Sequence, residues 1–152
     1  MKFGFFNWWN AAAVALLLLP NLLYACRHQE FGYQSASRAL NAAEQAGRIG
    51  CMVFMVVPLG VRGGEFGFCS WEGVILWFGG TALLLLAYYG CWIGFARRNA
   101  RPLALALAIL PCALFLLNAL LLGHWVLGLC AVLFAWAHLT ITWQCAKEPK
   151  ET

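Results

Sequence analysis

Long stretches free of Asp, Glu, Lys and Arg, with the last one divided at His124, give five runs. They are residues 3–26, 49–61, 73–96, 102–123 and 125–146, with 24, 13, 24, 22 and 22 residues. Together they hold 105 of the 152 residues. A helix crossing about 30 Å of hydrocarbon needs roughly 20 mostly apolar residues. Four runs reach that length alone. The second does not, and the topology turns on it.

Composition gives the same class. The chain is 63% hydrophobic and 11% charged, against about 45–50% and about 25% for soluble domains. Mean hydropathy is +0.75. The net charge of +4 comes from ten cations and six acids spread along the chain, too dispersed for a nucleic-acid surface. These figures imply an integral membrane protein and exclude secreted, disordered and DNA-binding classes.

The distribution of cations tests the second run. If all five runs cross, Lys2 and Arg62 lie on one side. Arg27, Arg38, Arg48, Arg97, Arg98, Arg101, Lys147 and Lys150 lie on the other. If the second run stays out, the division is six to four. Cytoplasmic loops carry the excess of Lys and Arg, so the two-to-eight division selects five spans, N-terminus outside and C-terminus cytoplasmic. The expected fold is a single all-α domain over residues 1–152, an integral membrane bundle of five transmembrane helices. The spans fall at about residues 5–25, 45–61, 73–96, 102–122 and 125–146, and the second extends into a cytoplasmic amphipathic segment. A cleaved lipoprotein-like leader ending at Leu23-Tyr24-Ala25-Cys26 is the alternative for the first run. Tyr before Ala is unusual there, and cleavage would put Arg27, Arg38 and Arg48 outside.

Local signals refine this layout. Pro20, Pro58 and Pro111 interrupt spans, as membrane helices tolerate, and Pro102 suits a first helical turn. Gly123-His124 is a tight link between the last two helices. Phe5, Phe6, Trp8, Trp9, Trp71 and Trp125 predict an outer aromatic belt, and Tyr24, Tyr88, Tyr89, Trp92 and Trp143 an inner one. Gly90 and Gly94 form a GxxxG match. With Gly79-Gly80 and Ala104, Ala106 and Ala108 they predict close helix packing.

The second helix carries the informative polar residues. Residues 36–59 read as one helix capped by Ser35 or Ser37. Arg38, Asn41, Gln45 and Arg48 share a face, and Glu44 and Arg48 form an i, i+4 pair in the favourable order. Thirteen apolar residues rise only about 20 Å. Crossing therefore recruits the turn with Glu44, Gln45 and Arg48 into the cytoplasmic boundary of the hydrocarbon. Charge there is costly and faces protein or a water-filled cavity; the plainer reading is an interfacial salt bridge with Arg48 snorkelling. By depth alone, Asn21 of the first helix and His138 and Thr142 of the fifth reach the same level. The candidate binding cluster is Asn21, Glu44, Gln45, Arg48, His138 and Thr142, opening towards the cytoplasm. Interhelical hydrogen bonding is the alternative for its polar members.

Other chemistry is sparse. The chain has no Asp, three serines outside the spans, and no H-E-x-x-H, Walker loop or G-x-G-x-x-G. No C-x-x-C occurs among Cys26, Cys51, Cys69, Cys91, Cys112, Cys130 and Cys145, which read as small buried hydrophobes. We expect no cofactor and no metal. The outer loop at residues 62–72 mixes aromatic and acidic residues, and Cys69 has no partner there. The basic side favours anionic headgroups. The lipid bilayer is one expected partner, a membrane protein or second copy another, and nucleic acid none.

Leu19-Pro20-Asn21, Glu44-Gln45-Ala46-Gly47-Arg48 followed by Cys51-Met52, and Leu86-Ala87-Tyr88 resemble small uncharacterised multi-span membrane proteins of bacteria. The resemblance implies a bacterial inner membrane and one fold for the whole chain. It carries no activity and no catalytic residue. Three functions stay open: binding or transport of a small molecule or lipid through the polar cluster, an accessory subunit of a membrane complex, and a lipid-acting enzyme using Glu44, Arg48 and His138.

Overall fold

A computed structural model describes residues 2–4, 6–27, 37–59, 61, 66–68, 70–98 and 100–147. Its five helices are α1 (Trp8–Arg27), α2 (Arg38–Val56), α3 (Trp71–Arg98), α4 (Arg101–Leu121) and α5 (Trp125–Lys147). A short antiparallel ladder, β1 (Lys2–Gly4) with β2 (Phe66–Gly67), pairs Lys2 with Gly67 and Gly4 with Phe66. The protein is an all-helical bundle apart from that ladder. Three helices, α3, α4 and α5, are long and apolar enough to cross a membrane.

Helix limits follow local chemistry. α1 starts at Trp8, later than the expected residue 5, because residues 2–4 pair with β2 and Asn7 caps the helix. The Asn7 Oδ1 accepts the Asn10 N–H at 3.1 Å. Ser37 caps α2 through the Leu40 N–H at 3.4 Å; Ser35 lies outside the described residues. α2 stops at Val56 rather than Leu59. Val57 precedes Pro58 and is extended (φ −110°, ψ 131°), as the proline ring requires. Pro102 lies in the first turn of α4. Gly123, at φ 62°, gives the left-handed backbone that lets α4 turn directly into α5.

Helices consecutive in the chain run antiparallel. Asn10 Nδ2, near the start of α1, donates to the Met55 carbonyl at the end of α2, at 2.8 Å. Trp77 near the start of α3 donates to Asn118 near the end of α4, at 2.7 Å. α5 packs between α2 and α4, α4 between α5 and α3, and α1 closes against α2 and α3. One end of the bundle therefore collects Arg27, Arg38, Arg97, Arg98, Arg101 and Lys147.

Two packing expectations need correction. Tyr88 and Trp92 are not belt residues: they are 2% and 7% exposed, in the bundle core. Trp8, Trp9, Trp71, Trp125 and Trp143 are exposed, and Phe5 and Cys69 lie outside the described residues. Gly90 of the GxxxG match meets nothing within 4 Å, while Gly94 meets Leu103. The close helix approach is at Gly47, where a Cβ would sit 2.7 Å from the Phe134 backbone nitrogen and 2.8 Å from its Cα. Sequence spacing finds the small residues; only the partner helix shows which of them face backbone.

Candidate functional site

The seam between α2 and α5 builds the polar site. Gly47 lets the two backbones meet at Phe134, and Gly50 faces the Cys130 sulfur. At the far end of the seam His124 locks the register. Its Nδ1 accepts the Leu127 N–H at 3.2 Å, so its Nε2, 3.1 Å from the Val57 carbonyl, carries the proton and donates. One side chain thus caps α5 and ties it to α2. Burial pushes the His124 imidazole below its ordinary value of 6.5, a shift its backbone hydrogen bonds partly oppose.

At the basic end of the same seam, Glu44 is opposite His138. The Arg48 Nη2 donates to Glu44 Oε1, and His138 Nδ1 lies 3.2 Å from that oxygen. Glu44 is buried at 6% exposure, while the Arg48 side chain keeps 37% of its surface. The buried carboxylate is thus covered by its two partners. His138 stacks on Phe134, one turn away, with centroids 4.8 Å apart and planes at 19°. Contacts to ring and Nδ1 fix the imidazole and turn the Nε2 edge away from Glu44.

These groups form part of the wall of a cavity of about 480 Å³ lined by all five helices. Its size falls within the about 300–1,000 Å³ of small-molecule sites. α1 contributes Asn21 among leucines. α3 contributes Tyr88, Trp92 and Phe95. α4 supplies an apolar wall that includes Pro111 and Phe115. The cavity therefore has a charged side on α2 and α5, a neutral polar side on α1 and α3, and an otherwise apolar lining.

Of the six residues expected to cluster, Asn21, Glu44, Arg48, His138 and Thr142 line this cavity. Gln45 does not. It is exposed, because one residue along a helix turns the side chain about 100° away from Glu44. Thr142 lines the cavity, but its hydroxyl donates back to the His138 carbonyl at 2.8 Å, leaving it less to offer a ligand. Tyr88 and Trp92 escaped sequence reasoning because aromatic residues near a helix end read as interface anchors. Asn118, fully buried between Trp77 and Thr81, was hidden inside an apolar run. Gly47 had a readable signal: two glycines three apart within one helix mark a face where another chain segment can approach closely.

Chemically the site is donor-rich. Glu44 occupies one nitrogen of a guanidinium that has five N–H donors, and His138 offers a second nitrogen. Among the described residues lining the cavity there is no serine, cysteine or lysine, so a side-chain nucleophile of those types is missing. No family model, curated protein or solved structure matches the chain.

Proposed function

We propose that this chain is a polytopic bacterial inner-membrane protein that binds or transports a small molecule or lipid through the five-helix cavity. The observation that carries the reading is the placement of the Glu44–Arg48–His138 cluster in the wall of a largely apolar cavity. Charge at that depth is retained when it faces a cavity or a partner, and here it has both. An enzyme role for Glu44 is less well supported, since its carboxylate is buried under the two groups an acid/base mechanism would need to displace. An accessory-subunit role rests on exposed apolar side chains that lipid covers equally well.

In this reading all five helices span. α2 runs beside α5 from Glu44 opposite His138 to Val57 opposite His124, so it shares the depth of a helix long and apolar enough to cross. Its polar residues need not face lipid. The basic end is then cytoplasmic by the positive-inside rule, with the N-terminus outside. If α1 and α2 did not cross, the 28–37 connection would lie outside. A Ser37→Cys variant, with the native cysteines replaced by alanine, is expected to react with an impermeant maleimide only after cells are opened. Labelling in intact cells would overturn five spans. For binding, purified protein in nanodiscs is expected to bind radiolabelled decanoate saturably, with replacement of Arg48 weakening it. Failure of decanoate, decanol and decyltrimethylammonium alike to bind saturably would overturn the binding role.

A further inference from the structure

We infer that the cavity takes an amphiphile with a single acidic head, carboxylate or phosphate, entering sideways from the bilayer past α1, its head on Arg48 and His138. The inference rests on the binding role proposed above and names the ligand class.

The polarity of the head follows from which atoms face the cavity. The only carboxylate among the described residues of the wall, Glu44, is buried beneath Arg48 and His138. A ligand reaching this side therefore meets the Arg48 guanidinium before any carboxylate. A guanidinium with spare N–H groups and 37% of its side-chain surface accessible suits a planar, bidentate acceptor such as a carboxylate or phosphate. Glu44 balances Arg48 in the empty site, and the accessible side of the guanidinium is left to meet an arriving acidic head beside the His138 imidazole. Glu44 is the charged group in contact with that imidazole, and Arg48 of α2, Tyr88 of α3 and the neutral Asn21 of α1 line the same cavity. The basic end reinforces the choice. Arg38, Arg97, Arg98 and Arg101 are exposed at the helix ends nearest the site, a field that draws anions and repels cations.

The route follows from α1. Leu18 and Leu22, one turn apart, line the cavity and are also 38% and 62% exposed. The cavity therefore reaches the bundle surface beside α1, at a face an embedded helix turns to lipid. An acyl chain can lie against Leu18, Leu22 and Met52 while the head sits deeper on Arg48.

Displacement of bound radiolabelled decanoate from protein in phosphatidylcholine nanodiscs tests this. Decanoate and decyl phosphate are expected to compete at least tenfold better than decanol, and decyltrimethylammonium worse than decanol. Acetate and inorganic phosphate are expected not to compete at millimolar concentration. Arg48→Gln is expected to weaken decanoate at least tenfold and leave decanol within twofold; Arg48→Lys recovers part of the loss. Leu22→Trp, on the exposed face of α1, is expected to slow decanoate entry without altering the fold. Equal competition by decanol and decanoate, or an Arg48→Gln variant that still prefers decanoate, overturns the acidic head while binding itself stands. Acetate competing as well as decanoate overturns the amphiphile and makes a soluble anion the ligand. Unchanged entry in Leu22→Trp overturns the lateral route.

Discussion

α1 and α2 invert what hydropathy suggests about them. α1 comes from a 24-residue uncharged run and looks like the more secure membrane helix; α2 has only 13 such residues and carries Glu44 and Arg48. Yet α1 shows Leu16, Leu18, Leu19, Leu22 and Leu23 to the outside, whereas α2 buries Glu44, Gly47, Cys51 and Met55 along one stripe against α5. Hydropathy measures how much of a helix lipid can cover. A helix wrapped by others is released from that demand, and can place polar residues where a ligand needs them.

The largest break in this contrast is expected at Gly47. Gly47→Ala drives a Cβ into the Phe134 backbone, which cannot swing aside as a side chain could. It should destabilise by about 2–3 kcal/mol, read by steric trapping or by thermal unfolding in detergent. Gly90→Ala, facing open space, should change stability by less than about 0.5 kcal/mol. Equal losses at the two glycines would remove the seam as the special contact.

His124→Ala should cost about 1–2 kcal/mol, since it removes both the α5 cap and the tie to Val57. It also sharpens the comparison through pH. The fold lowers the affinity of His124 for a proton, so the unfolded chain binds the proton more tightly. Its contribution is complete above pH 6.5 and declines as pH falls from there towards the lowered folded value. A wild-type melting temperature that falls with acidification, and a smaller fall in His124→Ala, is the expected pattern in a pH series. Asn10→Ala cuts the hydrogen bond holding α1 to Met55 and should cost about 0.6–1.7 kcal/mol in a bilayer setting, with faster proteolysis of α1. The smallest effect is expected at Leu19→Ala, on the exposed face of α1, within about 0.5 kcal/mol. A loss as large as that at Gly47 would mean α1 packs against something beyond this chain.

Much of this was legible along the chain. The five helices, the Ser37 cap and the tight Gly123 link follow from local chemistry, which is short-range and so written in neighbouring residues, whereas the expected run of α2 to Leu59 passed over the stop that Pro58 imposes at Val56. Glu44 with Arg48 follows from i, i+4 spacing. His138 could be placed at the right depth, but its contact with Glu44 depends on how α2 and α5 rotate about their axes, and that rotation is set by Gly47 meeting Phe134. Gln45, one position from Glu44, illustrates the cost of reasoning by depth without rotation. Tyr88 and Trp92 show the reverse, with residues assigned to an interface turned inward by their helix.

The sequence by itself determined an apolar chain of five helices, its charge asymmetry and one charged pair, because hydropathy, capping and helical spacing act within a few residues. Tertiary structure decided which helix faces outward, which glycine touches backbone, and that groups from five helices enclose one cavity. Those outcomes depend on axial rotation and register between segments as distant as Glu44 and His138, and are fixed only when side chains from both helices compete for the same volume.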